Sequence, residues 1–225
     1  MTPAPEPVVR VLVVDDHAAV RAGIAAVLGT AGDLRVVGEA GDGATAVRQA
    51  RVLRPDVVVM DLRMPRFDGV EATRAVVAEG LADVLVLTVV DAPDHVLAAV
   101  RAGAAGFLLK TADAPTLVDA VRRVAAGEGV MAPEVTRGIL DRVAATEPAR
   151  REEPPGLVTL TTREQEVLAG LGRGASNARL AAELGIAEAT VKTHVSRILD
   201  KLGCASRVEA ALLARDTAES QDRGK

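Results

Sequence analysis

A chain of 225 residues with no tryptophan, no tyrosine and only two phenylalanines, Phe67 and Phe107, has almost no flat side chains on which unpaired bases could stack. Single-stranded nucleic acid is therefore a poor partner class. The single cysteine, Cys204, excludes a disulfide within the chain and fits a reducing cytosol. No stretch approaches the ~20 apolar residues of a membrane span, and Met1 to Pro7 has prolines where a leader would have a basic-then-apolar run. A soluble, cytoplasmic protein that does not enter a membrane is expected. Lysine is scarce, with four copies at Lys110, Lys192, Lys201 and Lys225.

At 49% hydrophobic, the chain has enough apolar material for an α/β domain and a smaller second one. The net charge of -4 looks wrong for a nucleic-acid binder, but it is unevenly spread. Residues 1–145 hold 15 basic against 19 acidic side chains, whereas 159–215 hold 8 against 6. A compact basic C-terminal part can therefore carry a face for duplex DNA.

Val/Leu-rich runs at about 8–14, 34–40, 57–60, 83–88 and 105–109 alternate with helical patterns at about 17–29, 43–53, 68–79, 93–102 and 114–126. That alternation predicts a flavodoxin-like, doubly wound, five-stranded parallel sheet over residues 8–127, after a tail at 1–7. Residues 128–156 read as a helix, Pro133 to Ala145, and a linker, Thr146 to Gly156, with three prolines and five charges. From about 157 to 217 the pattern is helical throughout, near 162–172, 177–184, 188–202 and 206–215. This is a small all-α unit of four helices, followed by a tail at 218–225.

The first strand runs into Asp15-Asp16 and the third into Asp61, so three carboxylates meet at the carboxyl edge of the sheet, where open α/β folds place ligand chemistry. Like charges in one small site raise one another's pKa unless a cation offsets them, which suits Mg2+. An aspartate in that setting is a nucleophile toward phosphorus. Pro65 blocks continuation of the strand and Asp68-Gly69 gives a permissive turn, so Asp61 is expected exposed on a loop. Thr88 and Lys110 end the fourth and fifth strands and reach the same edge, where hydroxyl and ammonium could hold acyl-phosphate oxygens. Each of these residues alone has an ordinary structural explanation; the combination carries the reading. His17, with no second histidine or cysteine beside it, fits a helix start.

In the C-terminal unit, Thr161 is a candidate N-cap with acids in the first turn after it. Ser176-Asn177 can cap a short helix ending near Gly185, and a longer helix begins at Glu188; two helices so joined form a helix-turn-helix. On the second, Lys192, Thr193, Ser196 and Arg197 share a polar stripe, while Val191, Val195, Ile198 and Leu202 share an apolar one.

Val14-Asp15-Asp16-His17, Met60 to Pro65 with Asp68-Gly69, Leu87-Thr88 and Gly103 to Lys110 resemble the receiver domain of bacterial two-component response regulators. Leu160 to Glu164, Gly174 to Asn177, Ala181 to Leu184 and Ala189 to Val195 resemble the LuxR-type DNA-binding domain, and the pair resembles the NarL/FixJ class. The resemblance implies that a sensor histidine kinase phosphorylates Asp61, with Thr88 and Phe107 as the switch pair and Lys110 as the phosphate-binding cation. It implies Mg2+ on Asp16, Asp61 and the backbone carbonyl of Arg63, with Asp15 in support. It also implies contacts to double-stranded promoter DNA through Thr190, Lys192, Thr193 and Ser196. Many relatives carry lysine at the last of these positions, and Arg197 is the substitute. A homodimer formed on phosphorylation through a face with Val208, Ala211 and Leu212 is expected, with RNA polymerase a further candidate partner. A DNA binder indifferent to phosphorylation and a Mg2+-dependent phosphotransfer enzyme are the competing functions; the protein is expected not to be an enzyme, since no substrate pocket is legible in its loops.

Overall fold

In the computed structural model, residues 8–65, 67–89, 93–132, 135 and 157–223 are described. The chain opens as β1 (Val9–Val14), α1 (Ala18–Gly29), β2 (Leu34–Ala40), α2 (Gly43–Leu53), β3 (Val57–Asp61) and α3 (Gly69–Ala78). It continues through β4 (Asp83–Thr88), α4 (Pro93–Arg101), β5 (Gly106–Leu109), α5 (Ala114–Ala125) and β6 (Val130–Met131). All neighbours are parallel, in the order β2-β1-β3-β4-β5-β6.

Sheet residues alternate between two apolar layers, as the period of two requires. Leu12, Val14, Val58, Met60, Val84, Val86 and Phe107 join the layer that holds α2, α3 and α4. Val11, Val13, Val57, Val59, Leu85, Leu87 and Leu108 join the layer that holds α1 and α5. Burial on both faces explains why these strands read as unbroken apolar runs. Asp42, Asp68 and Asp113 start α2, α3 and α5 by accepting hydrogen bonds from the N–H groups of Thr45, Glu71 and Thr116.

The sheet has six strands, one more than expected. The extra strand, β6, has two residues, paired Gly106↔Val130 and Phe107↔Met131, and a two-residue strand has no periodicity to read. The helix expected over 133–145 and the linker 146–156 lie outside the described residues, Val135 excepted.

After a 3-10 turn at Leu157–Thr159 come α6 (Thr162–Gly172), α7 (Asn177–Leu184), α8 (Glu188–Leu202) and α9 (Arg207–Arg223). Thr161 and Glu164 form a reciprocal capping box at the start of α6. A core of Leu160, Val167, Leu171, Leu180, Val191, Ile198 and Ala210 binds the four helices together. The last helix extends eight residues past the expected limit, since nothing in 216–223 breaks a helix. Val208 and Leu212 of α9 pack against the α2–α4 layer of the sheet, so the helical unit and the sheet unit share apolar contact.

Candidate functional site

The strand order reverses direction between β1 and β3, and the turns leaving those two strands carry Asp15, Asp16 and Asp61. Asp61 is the last residue of β3 and 3% exposed, which corrects the expectation of a loop-exposed carboxylate. The reason is Lys110. Its Nζ lies 2.7 Å from Asp61 Oδ2 and 2.7 Å from Asp15 Oδ2, bridging and covering both acids, whose side chains are 4% and 1% exposed.

On the other side of Asp61, the Arg63 N–H donates to Oδ1 at 3.2 Å. Burial pushes the Asp61 carboxyl above its ordinary value; Lys110 and the Arg63 amide oppose this, and the nearby Asp15 charge adds to it. Burial depresses the Lys110 ammonium, but its bonds to Asp15 and Asp61 outweigh that and hold it above the ordinary value.

Asp16 is turned elsewhere. Its Oδ1 lies 2.7 Å from His17 Nδ1, and the ligand atoms of Asp15, Asp16 and His17 fall within 4.8 Å of one another, a group to which Asp61 does not belong. His17 stands at the start of α1, where its N–H donates to Asp15 Oδ1 at 2.8 Å. Thr88 is buried at the end of β4, and its hydroxyl donates to the Val89 carbonyl at 3.2 Å rather than to Asp61. Phe107 is wholly buried in the α2–α4 layer.

Of two supports, Arg21 was not singled out from the sequence and Gly69 was read there only as a turn. Arg21 Nη1 donates to the Asp15 carbonyl at 2.6 Å and fixes the turn after β1; the available signal was one charge on an otherwise apolar helix. Gly69 matters for space rather than for turn freedom. A Cβ on it would lie 2.0 Å from the Asp61 carbonyl oxygen and 2.6 Å from Leu62 Cα. Only glycine lets α3 begin this close to the strand that ends at Asp61.

In the helical unit, α7 closes on Gly185 at φ 64°, a left-handed turn that suits glycine, and α8 follows. Thr190, Lys192, Thr193, Ser196 and Arg197 are exposed on α8, while Val191, Val195 and Ile198 are buried. The Thr193 hydroxyl donates to the Ala189 carbonyl at 3.0 Å. Under the helix, Lys201 Nζ, 2.6 Å from Glu164 Oε2, pulls the Glu164 carboxyl down to about 2, helped by the Thr161 N–H at 2.8 Å. The expected dimerisation face is engaged within the chain: Val208 and Leu212 meet the sheet unit and Ala211 meets the helical core.

Comparison with known proteins agrees with both halves of this description. Residues 11–122 match the response regulator receiver domain, and residues 158–214 match the luxR family of bacterial regulatory proteins. The transcriptional regulatory protein LiaR of Bacillus subtilis is 41% identical over 209 residues, covering 92% of this chain and 96% of that protein. The probable transcriptional regulatory protein NarL of Mycobacterium tuberculosis is likewise 41% identical over 209 residues, covering 92% and 94%. Among solved structures, the response regulator ChrA of a heme-sensing two-component system aligns with a TM-score of 0.54 at 41% identity, over 94% of this chain and 98% of that one.

Proposed function

This chain belongs to the two-component response regulators that join a receiver domain to a LuxR-type DNA-binding domain, and from that premise we propose that phosphorylation of Asp61 by a sensor histidine kinase controls its dimerisation and promoter binding. It is a DNA-binding transcriptional regulator, with the receiver over residues 8–127 and the DNA-binding domain over 157–217 as the working division. The observation that carries the phosphoacceptor reading is the bridge of Lys110 to Asp61 and Asp15, 2.7 Å to each. It sets a nucleophilic carboxylate beside the cation that would hold the transferred oxygens.

The donor types fit Mg2+: Asp15, Asp16, Asp61 and the Arg63 carbonyl would offer it the hard oxygens that ion selects, once Asp16 leaves His17, with which it and Asp15 are now grouped apart from Asp61. Bound there, Mg2+ would supply positive charge toward the transferred phosphoryl oxygens. The protein's own share is to position Asp61, to keep water from it, and to present Lys110. A phosphoryl group on Asp61 gives the Thr88 hydroxyl a stronger acceptor than the Val89 carbonyl it now uses. Thr88 and Phe107 lie on the adjacent strands β4 and β5, as a switch pair linked to Asp61 requires.

Exposure of Thr190, Lys192, Thr193, Ser196 and Arg197 on α8 supports a major-groove reading of double-stranded promoter DNA by that helix. Burial of Val208 and Leu212 against the receiver supports a competition in which α9 cannot dock on its own domain partner and on a second copy at once. The chromosome as target implies work in the cytoplasm and contact with RNA polymerase, and no turnover of a metabolite is needed. One observation favours a second reading, a DNA binder indifferent to phosphorylation: the polar stripe of α8 is already uncovered.

The test is phosphorylation by a small acyl-phosphate donor with Mg2+, followed by intact mass, sedimentation and DNA binding. Wild type should gain one phosphoryl group, dimerise and bind promoter DNA more tightly, and Asp61→Asn should do none of these. Undiminished phosphorylation of Asp61→Asn refutes the acceptor assignment. Equal mass in sedimentation and equal DNA affinity with and without phosphate favour the second reading.

A further inference from the structure

Where α9 meets the receiver, a cavity of about 250 Å3 is lined by four arginines, Arg123, Arg173, Arg207 and Arg215, and by no acidic residue among the described ones. Met131, Leu171 and Leu212 give it an apolar side. The deepest of the four is Arg207, 9% exposed. It donates to the Gly127 carbonyl at 2.8 Å, to Asn177 Oδ1 at 2.8 Å and to the Ala175 carbonyl at 3.0 Å, and to no acid among the described residues.

A guanidinium taken out of water ordinarily meets an anion. Here burial disfavours the charge on Arg207, the Glu128 charge partly offsets this, and the Arg123 charge adds to the penalty. Arg215 is half-buried on α9 and has neither a hydrogen bond nor an ion pair with a described residue. Arg123 pairs with the largely buried Glu128 at 3.0 Å and with Asp119 at 3.9 Å, and Arg173 pairs with Glu183 at 3.2 Å, which leaves Arg207 and Arg215 as the two without a bonded acid among the described residues.

We propose that this seam binds a small anionic amphiphile, a molecule with one carboxylate or phosphate group on an apolar body. The acid group fills the deficit of negative charge between Arg207 and Arg215, and the body lies against Met131, Leu171 and Leu212. The volume is near the lower end of ligand pockets, which suits a medium-chain acid or a single nucleotide and excludes a dinucleotide. Because the walls come from both domains, the ligand binds only the docked arrangement and holds α9 on the receiver. The site owes nothing to the chemistry at Asp61, so it can be tested in a chain that cannot be phosphorylated.

The probe is 1-anilinonaphthalene-8-sulfonate, an acid on an apolar body that fluoresces when shielded from water, titrated into full-length Asp61→Asn protein. One saturable site is expected. Arg215→Ala should weaken it about tenfold, the loss of one charge-assisted contact, with thermal unfolding unchanged, and Arg215→Lys should weaken it less. Decanoate and a nucleoside monophosphate, added in competition, separate the two acid classes: whichever displaces the probe identifies the group the site prefers. Titrations that are the same in the parent and in Arg215→Ala overturn the proposal, as does a probe that neither competitor displaces.

Discussion

Replacing Lys110 with methionine keeps the length and apolar stem of the side chain and removes the ammonium that bridges Asp15 and Asp61. The two acids it leaves have side chains 1% and 4% exposed, so two like charges remain side by side out of water. Breaking a buried ion pair from one side costs about 3–5 kcal/mol. The lysine side chain is itself 22% exposed, and water entering by that opening puts the expectation at the lower end, about 3 kcal/mol near pH 7. The loss depends on pH in a definite direction. Burial already holds the Asp61 carboxyl above its ordinary value of 3.8, and without the ammonium only the Arg63 amide opposes that rise. A carboxyl raised in the folded state contributes stability below its unfolded value and loses it as pH climbs through the folded one. The penalty should therefore be small near the ordinary carboxyl value and reach its full size at neutral pH. Adding Asp15→Asn to Lys110→Met should recover about half of the penalty by removing the repulsion. Urea unfolding of wild type, both single variants and the double variant, followed by circular dichroism from about pH 4.5 to about pH 8, measures all of this. A neutral-pH penalty under about 1 kcal/mol, or one independent of pH, would refute the bridge as the element that holds the acids together.

Glu164→Gln should destabilise the DNA-binding domain by about 2 kcal/mol at neutral pH, since three bonds converge on its Oε2, one from an ammonium. With the carboxyl lowered to about 2, its contribution is full above the ordinary 4.5 and fades as pH falls through that window. The gap between wild-type and variant melting curves should narrow toward acid, and a constant gap would contradict the ion pair. Gly69→Ala forces the Asp61 backbone to move, which predicts a loss of about 1–3 kcal/mol and slower phosphorylation by acyl phosphate; wild-type rates would disprove the close approach. Lys192→Ala should leave phosphorylation intact and weaken DNA binding, with a shallower salt slope for a phosphate contact or relaxed preference at one position for a base contact. Undiminished binding by the folded variant would show that α8 is not the reading helix.

The strands of the receiver were legible because burial on both faces writes unbroken apolar runs, and the carboxyl ends of those runs located Asp15, Asp61, Thr88 and Lys110. What the runs could not convey was depth. Asp61 reads as exposed because the residues after it are turn formers, yet Lys110, 49 positions later in the chain, closes over it. Gly69 was legible as a break and not as a spacer, since spacing along a sequence says nothing about how near α3 comes to the end of β3.

The seam between the domains was less legible still, and for a general reason. Periodicity on α9 marks Val208, Ala211 and Leu212 as an apolar face, but an apolar face states only that something covers it. A second copy, the helical core and the receiver are equally good solvents for a valine, so the hydrophobic pattern cannot rank them. Polar groups can, because their bonds are directional and few. Arg207, which reads as an ordinary first-turn residue of its helix, selects among the three by donating to Gly127, 80 positions earlier, while its other bonds stay within the helical unit. The contact that fixes which surface α9 lies on is thus made by a residue with no pattern of its own. A second copy of α9 offers no Gly127 carbonyl, so docking on the receiver and the pairing through α9 that we propose would compete for Val208 and Leu212.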